Sequence, residues 1–595
     1  MRRTLSRRSL ACLLAATLCA CGENLTPEQR TQPTPAGTSS FASTEPAEGL
    51  DASADGWSTE SLGEMAKARL EEIFELEGAP TGALLNSYCA TDAQIHHLYP
   101  PDKEVIRDRD GFTVMRGKQS APADARGPDA LADALLALSA PFDSPPRIQL
   151  KTTAVSLSGT NTGVTRVLYQ AFGLSSSRPY QQSGDWQVTW STLNNEILRI
   201  ESLGYEELRG SEAGSPLFIE HTLGVFKGEE ESAEQFLPSM SLLASVLDSA
   251  SGPQINSFEG VAVGDVNGDG LEDVFFSQAK GLPNKLYLHQ SDGTLRDVSR
   301  AAGIDMLAQT TASLIVDLDG DGDQDLITSG SSFMIFENSG NQDSADAGPP
   351  VPRFVQRLEL DITSTYSVSA VDYDLDRDLD LYICRYNDTQ STVPTPYHDA
   401  QNGPPNVLLR SDGPWSYTDA TEESGLNHNN TRYSFAASWS DFDSDGDPDL
   451  YVANDFGRNN LYENRSGQFV DVSADLGVED ISAGMSADWG DPDSDGDYDI
   501  YIGNMYSAAG NRIAFQRRFR PEASEETLAT LKRHARGNTL FLQGEGSFTD
   551  ASVDAGVTMG RWSWCSRFLD IDNDSLEDLV VLNGNITSDD ATHDL

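Results

Sequence analysis

Histidine, cysteine and positive charge are scarce in this 595-residue chain. It holds 8 His and 6 Cys, and 41 Lys and Arg stand against 93 Asp and Glu, a formal charge of −52. So few cations argue against nucleic acid as a partner, because phosphate binding needs clustered Lys and Arg. They argue equally against electrostatic attachment to anionic lipid. Beyond the N-terminal leader no stretch has 18 consecutive apolar residues, so no transmembrane helix is expected. The cysteines form no CxxC and no paired His/Cys spacing, so neither zinc nor a disulfide framework is indicated.

What is there begins with an export signal over residues 1–21. Arg2, Arg3, Arg7 and Arg8 precede an apolar run from Leu10 to Ala20 that is too short for a permanent spanning helix. The run ends Leu18-Cys19-Ala20-Cys21, which resembles a bacterial lipobox. That resemblance implies lipidation of Cys21 and an exported, bacterial cell-envelope lipoprotein held at the membrane by its lipid. A non-lipidated signal peptide is the alternative. Ser6-Arg7-Arg8-Ser9-Leu10 is also similar to a twin-arginine signal, so the export route stays open. Cys89, Cys384 and Cys565 then read as small apolar core residues. Residues 22–56 are rich in Thr, Pro, Ser, Ala, Gly and Glu and read as a flexible linker.

Residues 57–210 predict a small α+β domain. Ser58 to Leu76 has helical periodicity with Leu62, Met65, Ala66, Leu70, Ile73 and Phe74 on one side, and a second helix is expected over Pro128 to Leu138. Alternating runs follow at Arg147 to Leu157, Gly163 to Phe172, Trp186 to Ser191 and Glu196 to Leu203, separated by turn residues. Helices followed by an antiparallel meander are similar to the cone-shaped nuclear-transport-factor-2-like domains. His96 and His97 are the histidines of this region, and they read as a surface or core pair.

Residues 211–595 are repetitive. Asp441-Phe-Asp443-Ser-Asp445-Gly-Asp447-Pro-Asp449 alternates acidic residues over nine positions and runs into the apolar Leu450-Tyr-Val-Ala-Asn454. Carboxylates this dense repel one another unless a cation sits among them. Oxygens at positions 1, 3, 5, 7 and 9, the seventh a backbone carbonyl, suit Ca²⁺. Five related loops begin at Asp265, Asp317, Asp372, Asp491 and Asp570, at intervals of about 50 to 80 residues. Behind several lies a second element, as in Asn284-Lys-Leu-Tyr-Leu, Asn460-Asn-Leu-Tyr and Asn538-Thr-Leu-Phe-Leu, followed by a Gly-containing hairpin. Strand, acidic loop, strand, connector, strand, hairpin, strand is a four-stranded unit, and six such units predict a mainly β fold, a β-propeller of six or seven blades. The sixth unit stops after its second strand; either the chain is truncated or upstream strands complete the last blade, and Leu217–Thr222 is the expected donor.

These loops resemble the FG-GAP/VCBS repeats of integrin α-subunit propellers. Phe435-Ala-Ala-Ser-Trp439-Ser-Asp-Phe-Asp443 with Tyr451-Val-Ala-Asn454, and Trp562-Ser-Trp564 with Val581-Leu-Asn-Gly584, are similar to the cartilage-acidic-protein-1-like (ASPIC/UnbV-associated) bacterial proteins. The resemblance implies an extracytoplasmic propeller binding up to six structural Ca²⁺. Its ligand positions map here onto Asp265, Asn267, Asp269, Leu271 and Asp273 in loop one, and Asp317, Asp319, Asp321, Asp323 and Asp325 in loop two. Loop three supplies Asp372, Asp374, Asp376, Asp378 and Asp380, and loop four Asp441, Asp443, Asp445, Asp447 and Asp449. Loop five supplies Asp491, Asp493, Asp495, Asp497 and Asp499, and loop six Asp570, Asp572, Asp574, Leu576 and Asp578. Leu375 and Arg377 stand where small residues are usual, which makes loop three the expected weakest.

Two inserts leave the repeat at the same point, Asn387 to Asn402 and the locally basic Asn511 to Arg536. Inserts on one face of a repeat array often carry binding. The expected function is a scaffold presenting a face to a protein or a glycan. The alternative is a polysaccharide lyase or hydrolase on the same frame, with Tyr397, His398, Arg517 and Arg518 as candidates, although no acid, base and nucleophile set can be assembled. The basic insert either docks an acidic partner or pairs with carboxylates of neighbouring blades.

Overall fold

The computed structural model describes residues 58–583 apart from 77, 110–111, 119–124, 159–160, 211–221, 230–259, 343–349, 387–392, 517–518, 545 and 572–574. The export signal, Cys21, the linker and most of Leu217–Thr222 therefore lie outside the described residues. The chain divides into two compact units. The first takes the described residues up to 210 together with Ala508–Pro521; the second runs through Ser507 and resumes at Glu522.

In the first unit the helix Ser58–Phe74 buries Leu62, Ala66, Leu70 and Ile73, the spacing of one helical face. It and the helix Gly127–Ser139 share a core with a seven-stranded sheet. Its strands are β1 (Cys89–Ile95), β2 (Lys103–Arg109), β3 (Phe112–Gly117), β4 (Arg147–Leu157), β5 (Thr162–Ser175), β6 (Arg178–Ser191) and β7 (Ile197–Arg209), in the order β2-β3-β7-β6-β5-β4, with β1 parallel to β7. The core holds Trp186, Trp190, Tyr169 and Val188, with the Tyr169 and Trp186 rings stacked at 4.7 Å. Gly163 faces the first helix so closely that a Cβ there would lie 2.1 Å from Leu62 Cδ2, so only glycine permits that approach.

Strands β6 and β7 are longer than hydrophobic alternation indicated, because part of their buried face is polar. Glu207, 1 % exposed, accepts from Lys103 Nζ at 2.5 Å, Tyr180 Oη at 2.6 Å, Tyr205 Oη at 2.9 Å and Arg209 Nη2 at 2.9 Å. Burial alone would push this carboxyl up; the Lys103 ammonium and the tyrosine hydroxyls outweigh it and hold its pKa below the ordinary value. The segment Ala508–Pro521 contributes the helix Ala508–Ala514, whose Arg512 Nη2 lies 3.3 Å from Glu60 Oε2.

The second unit is a succession of antiparallel sheets in chain order. The first has the strands Val261–Gly264, Asp273–Phe276, Lys285–His289 and Leu295–Asp297. The same four-stranded pattern recurs in the next four sheets, which begin at Thr310, Thr365, Tyr433 and Gly484. The last, among the described residues, is the pair Ser563–Leu569 and Asp578–Asn583, and a short separate pair joins Gly457–Arg458 to Ile481–Ser482. Each of the four largest hydrophobic clusters here draws on two consecutive sheets. Leu450 and Val452 pack with the third sheet, while Tyr451 between them packs with the fifth. Both faces of such a strand are buried, so it reads as an unbroken apolar run rather than an alternation. The described residues show no closed sheet.

Candidate metal centres

Each acidic loop joins the first two strands of its sheet. In loop four, Asp441 opens the turn: its Oδ1 accepts from Asp445 N and its Oδ2 from Gly446 N, both at 3.0 Å. Gly446 sits at φ +99°, a left-handed conformation that glycine adopts without strain. Asp449 closes the loop and is 0 % exposed. Its Oδ2 accepts from Phe442 N at 3.1 Å and its Oδ1 from Asn464 N, on the third strand, at 2.7 Å. Burial, joined by the charges of Asp443 and Asp445, pushes this carboxyl up to about 7 against the pull of those two donors.

The ninth position repeats this arrangement. Asp273 accepts from Val266 N and His289 N, Asp325 from Leu318 N and Asn338 N, and Asp380 from Tyr373 N and Ser411 N. Burial pushes each of them up to about 7. The closing aspartate is thus a structural clamp between the loop's second residue and the third strand.

The structure brings three of the five positions together. The trios Asp317, Asp319 and Asp325; Asp372, Asp374 and Asp380; Asp441, Asp443 and Asp449; and Asp491, Asp493 and Asp499 each offer carboxylate oxygens within 4.8 Å of one another. Position five lies outside these trios: Asp321, Asp376, Asp445 and Asp495 each accept from the N–H of position seven at 2.9 to 3.0 Å. Asp447, at position seven of loop four, accepts from Ser466 N at 2.6 Å. In loop one Asn267 takes the third position, accepting from Asp269 N and donating to Asp269 Oδ2. In loop six Asp572 and Asp574 lie outside the described residues; Asp570 accepts from Ser575 N and Asp578 from Ile571 N, and Leu576 is exposed.

These residues fit a hard divalent cation. The donors are all oxygen, three like charges converge, and two buried carboxylate oxygens, Asp372 Oδ1 and Asp499 Oδ2, have no hydrogen-bond partner among the described residues. Loop three has its trio as loops two, four and five do. Its departure is in the backbone: Leu375 at φ +62° and Arg377 at φ +82° take left-handed positions that Ser444 and Gly446 fill in loop four.

Two repeated devices carried no sequence signal strong enough to single out. Asn338, Asn464 and Gln543, all on third strands, reach into a preceding loop and donate to the carbonyl of its second residue: Val266 at 2.8 Å, Tyr373 at 2.8 Å and Phe442 at 3.0 Å. After each short fourth strand, Asp297, Asp419, Asp471 and Asp550 cap a Ser or Thr two residues on. That hydroxyl in turn accepts from Leu286, Leu408, Leu461 or Leu540 N. An Asp-x-Ser/Thr triplet repeated behind the hairpin is their trace in the sequence.

The inserts are tied down by charge. Asp399 binds Arg432 at 2.6 Å and Arg458 at 3.3 Å, and Arg458 continues to Glu479 at 2.6 Å. The helix Glu525–His534 sends Arg533 to Asp480 at 2.9 Å and to Asp550 at 3.3 Å, and just beyond the helix Arg536 reaches Asp550 at 2.7 Å. Tyr397 packs on Phe456 with ring centroids 4.9 Å apart and lies 6.1 Å from the His534 ring. Burial holds the His534 imidazole down at about 4, with Asp480 raising it and His398 lowering it. Arg517 and Arg518 lie outside the described residues. In the first unit, burial lowers His96, and its Nε2 is enclosed.

Mainly β architecture, acidic loops between paired strands and oxygen-only trios define a class of repeat protein. The model of that class described as the FG-GAP-like repeat matches residues 265–328 and 441–502, and both matches open on the first aspartate of a loop. The chain carries FG-GAP-like repeats in these two regions. No curated protein matches it. Among the described residues no helix is long and apolar enough to cross a membrane.

Proposed function

We propose that this chain is an exported, lipid-anchored, calcium-binding β-propeller that presents a recognition face to a protein or a glycan. The observation that carries the metal part is the recurrence of one carboxylate trio at the same place in four consecutive sheets. The FG-GAP-like repeats support the propeller and an extracellular setting. Ca²⁺ is structural in this reading. Asp at positions one, three and nine would hold it, and it would neutralise converging carboxylates and stiffen the loop between two strands. The lipid anchor at Cys21 rests on the lipobox resemblance, and the inserts Asn387 to Asn402 and Asn511 to Arg536 are the proposed source of recognition.

Isothermal titration of chelator-stripped protein with Ca²⁺ tests the metal reading. Saturable binding of several ions with a rise in thermal stability supports it; heat no greater than dilution defeats it. Array screening against glycans and envelope proteins, with product detection, tests the scaffold reading. Bond cleavage that is lost on Tyr397→Phe would replace it by an enzyme.

A further inference from the structure

Loop five breaks the clamp that its relatives share. In loops one to four the closing aspartate spends one carboxylate oxygen on the N–H of the loop's second residue. In loop five that residue is Pro492, which has no N–H to give. Asp499 is 1 % exposed, its Oδ1 accepts from Gln543 N at 2.7 Å, and its Oδ2 has no hydrogen-bond partner among the described residues. Asp491 and Asp493 place carboxylate oxygens within 4.8 Å of it. Asp491 cannot relieve this crowding, since its own oxygens accept from Asp495 N and Gly496 N. A buried, unpaired carboxylate oxygen facing two further carboxylates is costly unless a cation joins them.

We propose that loop five is the calcium-dependent element among loops one to five: Pro492 frees Asp499 Oδ2 for the ion, so this loop is ordered by Ca²⁺ while loops one to four are held by their own backbone clamp. The inference rests on the calcium reading above and adds a ranking that the reading does not contain. In loops one to four, loss of the ion leaves two backbone hydrogen bonds on the closing aspartate. In loop five it leaves one, from Gln543.

Hydrogen exchange on the full-length protein, in Ca²⁺ and in EGTA, tests this without any variant. Peptides spanning 488–503 report loop five and those spanning 438–453 report loop four. Chelation is expected to speed exchange in loop five about tenfold more than in loop four, the scale of one lost hydrogen bond to a buried charged group. Pro492→Phe, which copies Phe442 of loop four, restores a donor and is expected to bring the two responses within about threefold. Equal responses of the two loops in the unmodified protein overturn the inference and leave the calcium reading standing, as does an unchanged excess in the Pro492→Phe variant. A response in neither loop overturns the calcium reading, and the inference with it.

Discussion

Replacing Asp449 by alanine separates two tasks that carboxylates perform in these loops. Asp449 is fully buried and holds Phe442 N at 3.1 Å and Asn464 N at 2.7 Å. Alanine leaves both N–H groups buried without an acceptor. Each such group costs about 1–3 kcal/mol, so Asp449→Ala is expected to destabilise the second unit by about 2–6 kcal/mol even in EGTA. Asp443 is the control. It is exposed, belongs to the same trio, and its one backbone contact is Asp445 N at 3.2 Å, a donor that Asp441 also accepts. In EGTA, Asp443→Ala is expected to stay within about 0.5 kcal/mol of the parent, as for most surface substitutions. In saturating Ca²⁺ both variants lose a ligand, so Asp443→Ala falls behind only there. Urea unfolding read by tryptophan fluorescence suits the measurement, because Trp439 and Trp489 lie in the clusters on either side of this sheet. A loss under about 1 kcal/mol for Asp449→Ala in EGTA would refute the clamp; an equal loss for both variants in EGTA would refute the division of labour.

Other positions give sharper single outcomes. Arg377→Gly relieves a left-handed arginine in loop three and is expected to stabilise the protein by about 1 kcal/mol in urea unfolding, with a loss counting against backbone strain there. Asn464→Ala removes donations to Tyr373 O and Pro448 O and is expected to cost about 2–4 kcal/mol, with faster hydrogen exchange around Tyr373 in the preceding loop. Glu207 has a folded pKa below its unfolded value, so its stabilisation is complete above the unfolded pKa and is lost as pH falls through the folded one. Glu207→Gln should therefore flatten the acid limb of the first unit's stability profile below about pH 4.5, and an unchanged limb would show that the carboxylate carries none of it.

The acidic loops were legible because metal-type spacing is local: nine residues contain both the turn and its ligands. The apolar runs behind them were legible for the same reason, since strands buried on both faces, such as Asp449–Asp455, concentrate apolar residues in a short window. The helix Ser58–Phe74 showed its face by periodicity. Three things stayed hidden. Strands β1 to β3 are short, and β2 is highly charged, with the exposed Val105 and Ile106 confusing its pattern. The start of β6 and the end of β7 bury Gln182 and Glu207, which alternation reads as outward-facing. Which acidic positions converge is set by the path of the turn, and alternating aspartates make positions three and five equivalent in the sequence although only position three joins the trio.

The stitches from Asn338, Asn464 and Gln543 set a rule of inheritance for the array. Tyr373 gives its N–H to Asp380 within its own repeat and receives Asn464 from the next repeat on its carbonyl. The backbone of a single residue is therefore shared by two repeats. A repeat copied or transplanted elsewhere in the array brings only half of each such bond, and its new neighbour must supply the amide that completes it. Such an array would change by co-ordinated substitution at the joints more readily than by shuffling whole units, and a loop that loosens would loosen the sheet beside it as well as its own.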